Sequence, residues 1–391
     1  MMLIFLILLT FSYAMFQGGF VSWFLFYSFL PFAGYCAAIS LYSLSELEVT
    51  RVIPKSDYKA GELLKVIVTV KRSGSFPLFY IIIEDQLDKS LKNAHQLKAA
   101  KALMLPGFKK EFSFEYIIDE LPRGEHFFHS IKMRMGDPLG LIEKEKTVTA
   151  KGKIIVYPTY TEILYRPFEN HYEQGLTASR ERVQRDTSMV IGVRDYQPGD
   201  RFSWINWKAS AKRNVIMTKE FEQRQSHDVF VVMDCMPDKH FEAIVSFTAS
   251  LLRAVLKKGA QTGLLTLSKE RASFPIRGGE KQLQELFYHL AKIEAKSFVP
   301  IEKVLDTEGL FVQQTISFLL VTAQVTKPLI EKASLLGQRK GTVTIFLIKG
   351  ERESATENER FLVGVAKTRG VRVVLVHEGS FVEAFSGVNL R

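Results

Sequence analysis

At 391 residues the chain is long enough for two or three domains, each with its own core. Apolar residues make up 47% of it, with the excess at the N-terminus, and the formal net charge of +10 suits nucleic acid, an anionic membrane surface or a cytoplasmic face beside one. That charge is spread along the chain, which weighs against nucleic acid, and two cysteines without paired spacing, Cys36 and Cys235, argue against a disulfide framework and for a reducing compartment.

Met1 to Phe16 is almost wholly apolar, and after Gln17-Gly18-Gly19 the run Phe20 to Leu44 is apolar again and uncharged. A spanning helix needs about 20 apolar residues, so the second run is ample and the first short but usable. The glycine pair suits a tight reversal, which predicts a transmembrane hairpin over residues 1–45. Arg51, Lys55 and Lys59 follow the second span, so the positive-inside rule places the remainder in the cytoplasm. Two alternatives compete. A signal peptide would want a positive start, which MMLIF lacks, and would still leave the second run as an anchor. If only the second run spans, the bulk of the chain lies outside.

Residues 46–160 read as short strands. Leu63 to Lys71 and Glu111 to Ile118 alternate apolar with polar, and Phe79 to Glu84 is β-branched. Without strong helical runs between them, they predict an antiparallel β-sandwich. His95 to Met104 is ambiguous. Leu121 to Leu141 carries turns at Pro122-Arg123-Gly124 and Gly136-Asp137-Pro138. His126 and His129 sit three apart, an odd spacing that sends them to opposite faces of a strand and favours half-buried and solvated imidazoles over metal ligands. Lys151 to Tyr160 is a last strand closed by Pro158.

Residues 161–227 read as a linker or extended lead-in followed by a denser signature segment. Thr161 to Met189 is polar, and Arg180, Arg182 and Arg185 interleave with Glu181 and Asp186, as in a solvated segment rather than a nucleic-acid arm. Val190 to Glu222 is more specific. Pro198-Gly199 before Asp200 is turn chemistry, and the spacing of Trp204 and Trp207 puts both on one face of a helical turn. In the structural reading Arg194, Asp200 and Lys208 form ion pairs while Tyr196, Trp204 and Trp207 anchor packing. In the functional reading the same residues make a docking surface, since Trp, Tyr and Arg dominate interface hot spots.

From residue 228 onward, apolar strands alternate with amphipathic helices. Strands fall at Asp228 to Asp234, Thr262 to Leu267, Ser317 to Thr322, Val343 to Ile348 and Val371 to Val376, and a short hairpin lies near Phe274. Helices fall at His240 to Lys258, Glu280 to Ile293, Lys327 to Leu336 and Glu357 to Arg369. That order predicts a mostly parallel α/β sheet covered on both faces, with ligands at the carboxyl ends of strands near a switch in strand order.

No phosphate-binding glycine loop, H-E-x-x-H or Gly-x-Ser-x-Gly elbow occurs. Cys235 with His240 could be a thiol and base, although a cysteine ending a buried strand is usually an inert small hydrophobe. His377-Glu378 closes the last strand without a visible third partner.

Arg194-x-Tyr196-x-Pro198-Gly199-Asp200, then Trp207-x-Ala209-x-Ala211-Lys212 and a strand ending in Asp234, resembles the signature of the domain-of-unknown-function 58 family. Arg123-Gly124 and the later Gly136-Asp137-Pro138-x-Gly140-Leu141 agree with it. Asn206 stands where the family usually has an aspartate, and His126 and His129 depart from its strand. The resemblance implies that residues 228–391 are a von Willebrand factor A-like (Rossmann-like) domain. The metal site of such domains uses Asp-x-Ser-x-Ser, a threonine and a later aspartate. Here the run is Asp234-Cys235-Met236-Pro237-Asp238, and Thr322 is followed by Ala323. A thioether is a poor ligand for a hard cation, so Asp234, Asp238 and Thr322 read as a degenerate site and no cofactor is expected, Mg or another divalent cation included. The resemblance also implies partnership with a MoxR-type AAA+ ATPase and, in some relatives, with a membrane protein carrying a transglutaminase-like domain. The combined reading is a non-enzymatic, multi-pass membrane adaptor or scaffold. Its rivals are a hydrolase or thiol enzyme using Asp234 and Cys235, and a basic membrane-surface or nucleic-acid binder.

Overall fold

The computed structural model describes residues 2–88, 91, 100–166, 185–197, 200–223, 228–305 and 316–385. Arg180, Glu181, Arg182, Pro198 and Gly199 lie outside these residues, as do the first half (95–99) of the ambiguous stretch and most of the stretch 161–189. The chain divides into two units, Met1–Thr159 and Tyr160–Arg391.

The first unit opens with helices α1 (Met2–Gln17) and α2 (Phe20–Leu41), reversed at Gly18, whose φ of +63° suits glycine. Among the described helices α2 alone is long and apolar enough to cross a membrane; α1 is a shorter apolar helix. Two sheets follow. Strands β1 (Leu47–Val52), β3 (Leu64–Arg72) and β6 (Glu111–Ile118) pair antiparallel in the order β1-β3-β6. The second sheet runs β2 (Asp57–Lys59), β8 (Glu143–Tyr157), β7 (Gly124–Gly136), β4 (Tyr80–Leu87), β5 (Lys101–Met104), antiparallel except for β2 on β8.

Alternation fixes which face turns inward. Leu64, Val66, Val68 and Val70 of β3 are fully buried, and they share one apolar cluster with Ile81, Ile83, Ile131 and Met133 of the second sheet. Across this cluster runs a buried ion pair. Arg51 of β1 donates from Nε to Asp85 Oδ2 of β4 at 2.8 Å, and Tyr116 Oη of β6 donates to the same oxygen at 2.8 Å. Arg51, which the sequence offered as a flank charge after α2, therefore has its side chain buried in the core. His126 is buried, its Nε2 2.7 Å from the Pro122 carbonyl, and burial pushes its pKa down; His129 is exposed.

The second unit begins with an extended lead-in whose Ile163 and Tyr165 are buried in the apolar core, the second of the two readings of this stretch. A two-stranded ribbon, β9 (Arg185–Asp195) and β10 (Met217–Gln223), carries the short helix α3 (Trp207–Arg213) between its strands. β9 thus starts inside the segment read as a linker or extended lead-in. The main sheet has the order β13-β12-β11-β14-β15-β16, with β11 (Val229–Met233), β12 (Thr262–Leu267), β14 (Ser317–Thr322), β15 (Val343–Lys349) and β16 (Arg372–His377) parallel. β13 (Arg271–Arg277) pairs antiparallel at one edge.

Both faces are covered, which is why these strands are apolar without alternation. Val229, Val231 and Met233 face α4 (Phe241–Lys257) and α5 (Glu280–Lys292); Phe230 and Val232 share a core with α6 (Ile301–Leu305), α7 (Lys327–Lys340) and α8 (Glu357–Thr368). From β11 the chain moves to β12 on one side and, after β13, to β14 on the other, so the strand order switches between β11 and β14.

Candidate functional site

Two places collect the residues singled out in the sequence. The first is the ribbon with α3. Register pairs Arg194 with Thr218 and Asp195 with Met217, and the Tyr196 amide donates to the Ile216 carbonyl at 2.9 Å. Asp200 bonds back to β9 and the residues after it: its Oδ2 accepts from the Gln197 amide at 3.0 Å and its Oδ1 from Arg194 Nη2 at 2.7 Å. The Arg194 guanidinium, helped by that amide, holds the Asp200 carboxyl below the usual carboxylate range, and Asp200 raises Arg194 in turn.

The two tryptophans do not share a helical face. Trp204 ends a 3-10 turn (Phe202–Trp204), Ile205 is extended and bridges Thr218, and Asn206 caps α3, whose first residue is Trp207. A capping residue adopts non-helical backbone, which interrupts the periodicity between them. Asn206 Oδ1 accepts from the Ala209 amide at 3.2 Å, so the amide carbonyl performs the capping that an aspartate would. Ser210 Oγ donates to the Asn206 carbonyl at 2.9 Å and accepts from the Met217 amide at 2.8 Å, fastening α3 to β10.

This internal bonding leaves large side chains outside. Trp207 is 68% exposed and Phe202 77%, and Val215 and Ile216 are also exposed. Trp204 is half-buried, with the Arg201 guanidinium 5.5 Å from its ring centroid, and Tyr196 is half-buried. Among the described residues Lys208 makes no ion pair; it is exposed, as are Arg201, Lys212 and Arg213. The ion pair expected of Arg194 and Asp200 therefore exists without Lys208, and Trp207 anchors no core.

The second place is the carboxyl edge of the main sheet, at the switch in strand order. Asp234 follows β11 and Thr322 ends β14; Thr322 Oγ1 donates to Asp234 Oδ2 at 2.8 Å, and the Met236 amide donates to Oδ1 at 3.0 Å. Asp238 accepts from the His240 amide at 2.8 Å and from Gln324 Nε2 at 3.3 Å. His240 Nε2 lies 2.8 Å from Glu353 Oε2, which also pairs with Lys239. Lys349, at the end of β15, reaches Glu359 Oε1 at 2.6 Å. Burial alone would push the Glu359 carboxyl up, but the Lys349 ammonium and the Thr356 amide outweigh it and hold the group below its usual range.

Asp234, Asp238 and Thr322 are thus neighbours, joined through Gln324, with their acceptors engaged by protein donors. Among the described residues no three His, Cys, Asp or Glu side chains are grouped so as to hold a metal ion. Two carboxylates already bonded within the fold, beside a thioether, do not fit a hard cation that wants six or more oxygens. Cys235 is buried, with its Sγ 3.6 Å from the Met233 carbonyl. Gln324 and Glu353 escaped sequence reasoning because only the topology brings them to this edge; Gln324 lies two residues after a strand end, which is the one signal it offered.

The model of the family described as "Protein of unknown function DUF58" matches residues 192–370, from the ribbon through the carboxyl edge to the end of α8. The uncharacterized protein YeaD of Bacillus subtilis (strain 168) is 40% identical over 382 residues, covering 96% of this chain and 95% of YeaD. Among solved structures, the conserved hypothetical protein BatB from Bacteroides thetaiotaomicron aligns with 41% of this chain and 95% of its own, at 13% identity and a TM-score of 0.28. The CARDB domain of the PF1109 protein from Pyrococcus furiosus aligns with 28% of this chain and 86% of its own, at 15% identity and a TM-score of 0.20. Scores this low carry no argument. The near full-length identity to YeaD and the family match over both candidate places do: the chain belongs to the DUF58 family of proteins of unknown function.

Proposed function

We propose that this protein is a membrane-anchored, non-enzymatic adaptor whose ribbon and α3 dock another protein, a MoxR-type AAA+ ATPase, in a chaperone-like or cell-envelope assembly. The observation that carries the reading is the exposure of Trp207 and Phe202 on a module whose own backbone is fixed by hydrogen bonds. Tryptophan and arginine are the side chains most enriched in interface hot spots, and a rigid frame lowers the entropy lost on binding. The family resemblance supplies the partner class.

In this reading α1 joins α2 as a second span, and Lys55 and Lys59 mark the cytoplasmic side, where a nucleotide-driven partner has its ATP. The two sheets of residues 46–160 are a β-sandwich, and residues 228–391 a von Willebrand factor A-like domain whose carboxyl edge keeps its position but has lost its cation. A transglutaminase-like membrane protein is a further partner; nucleic acid is not.

Extraction of the tagged full chain in mild detergent, followed by affinity capture with and without ATP and identification of what co-purifies, tests the proposal. An AAA+ ATPase whose recovery changes with nucleotide is expected. Recovery of no ATPase under either condition would overturn it.

A further inference from the structure

The register of the first unit gathers three loops at one end of the five-stranded sheet. Tyr80 pairs with Gly136, Ile81 with Met104 and Gly136 with Glu143, while Leu78 and Gly107 exchange both backbone hydrogen bonds at 3.0 Å. The loops at 76–79, 105–110 and 137–142 therefore form one rim. To this rim α2 is fastened. Tyr35 Oη donates to the Pro77 carbonyl and accepts from the Phe79 amide, each at 3.0 Å, and its ring stacks on Phe76 at 5.9 Å. Lys144 Nζ, on the strand that leaves the rim, donates to the Ser40 and Tyr42 carbonyls at 2.6 and 2.8 Å, where the negative end of the helix dipole favours a cation.

The position of Tyr35 sets the depth of the rim. It lies six residues before Leu41, the end of α2, which is about 9 Å of rise, and side chains on a helix lean toward its N-terminus, here further from the sheets. The 22 residues of α2 span about 33 Å against a hydrocarbon core of about 30 Å, so little helix is left over to lift Tyr35 clear of the bilayer. Backbone groups at that depth must be satisfied by protein, and the Tyr35 hydroxyl and the Leu78–Gly107 exchange do so.

The exposed side chains on the rim match such a setting. Phe108 is 72% exposed and Leu105 71%, Phe79 and Leu139 are more than half exposed, and Lys109 and Lys110 stand beside them in solvent-facing positions. Apolar tips flanked by lysines are the composition of surfaces that enter the headgroup boundary of anionic leaflets. Resting on the reading of α2 as a membrane span, we propose that this rim is itself a lipid-binding surface, inserted into the leaflet from which α2 emerges. The first unit is then partly embedded in the bilayer rather than tethered above it, which fixes its height and orientation on the membrane.

The test uses the full chain with the buried Cys36 and Cys235 replaced by alanine and one new cysteine carrying an environment-sensitive fluorophore. It is reconstituted in vesicles of phosphatidylcholine and phosphatidylglycerol with a lipid-borne quencher. Phe108→Cys and Leu105→Cys probe the rim independently, so failure of one variant to fold leaves the other. Phe32→Cys, exposed on α2, reports anchoring, and Leu63→Cys, exposed at the opposite end of the sheets, is the aqueous reference. The rim labels should be blue-shifted and quenched to nearly the extent of Phe32→Cys, with Leu63→Cys unquenched. If Phe32→Cys is quenched while both rim labels behave like Leu63→Cys, the rim lies in water and the proposal is overturned with anchoring intact. If Phe32→Cys is also unquenched, the spanning helix falls and the proposal with it.

Discussion

Replacing Asp85 with alanine is expected to cost the first unit about 3–5 kcal/mol, a large fraction of the roughly 5–15 kcal/mol that stabilises a domain. The reason is the charge left behind. The side chains of Arg51 and Asp85 are 4% and 0% exposed, and besides Asp85 the guanidinium donates to the Ala150 carbonyl and lies 5.0 Å from the Phe128 ring centroid. Without the carboxylate it remains buried among groups that cannot neutralise it. Tyr116, whose hydroxyl is pushed far above the usual tyrosine range chiefly by burial, a cause the substitution leaves in place, is a poor source of the missing negative charge. The double substitution Arg51→Met with Asp85→Leu should recover most of the loss, because a buried pair exchanged for apolar side chains of similar volume is often neutral. Urea midpoints from amide protection of β4 and β7 in the detergent-solubilised chain would measure both. A single substitution that leaves those midpoints unmoved would show that the pair does not hold the two sheets together.

The second large effect falls on binding. Phe202→Ala with Trp207→Ala should weaken association with the proposed ATPase partner by about 2 kcal/mol or more, roughly a 30-fold rise in Kd, while thermal stability stays within about 0.5 kcal/mol. The two consequences separate because both side chains face solvent and neither fills the small interior of the module, which Ile205 and Met217 supply. Ile205→Ala is the informative contrast. Its side chain is buried where the chain bridges to Thr218, so its loss should loosen the module by about 2–4 kcal/mol and reduce binding only as a result. If the surface pair lowered stability as much as Ile205→Ala does, the aromatic residues would be packing anchors after all.

Periodicity made the larger elements legible. Alternation in Leu63 to Lys71, broken only by Leu63 and Ile67, marks β3, and the unbroken apolar run after Asp228 marks a strand covered on both faces. Weakly buried strands were harder. β8 runs from Glu143, but its first half, EKEKTVTA, alternates exposed with only partly covered side chains, so no buried apolar face marks it and only its end near Tyr157 stands out. β9 begins in a stretch of charge, and β2 is three residues held by pairing with β8 rather than by pattern. At the candidate site, residues that end strands could be foreseen as neighbours, hence Asp234 and Thr322. Long-range partners could not: Glu353 meets His240 only because their loops close over adjacent regions of one edge, and Arg51 meets Asp85 across two sheets. The tryptophan pair misled because a spacing of three suggests a helical face, whereas a capping asparagine between them stops one turn and starts another.

A photo-reactive side chain in place of Trp207, with one in place of the equally exposed Phe361 as control, tests most directly whether the ribbon and α3 hold another protein. Irradiated in native membranes, position 207 should cross-link to an AAA+ ATPase in a nucleotide-dependent manner and position 361 should not. Adducts with lipid alone, or the same protein adducts from both positions, would contradict the adaptor function.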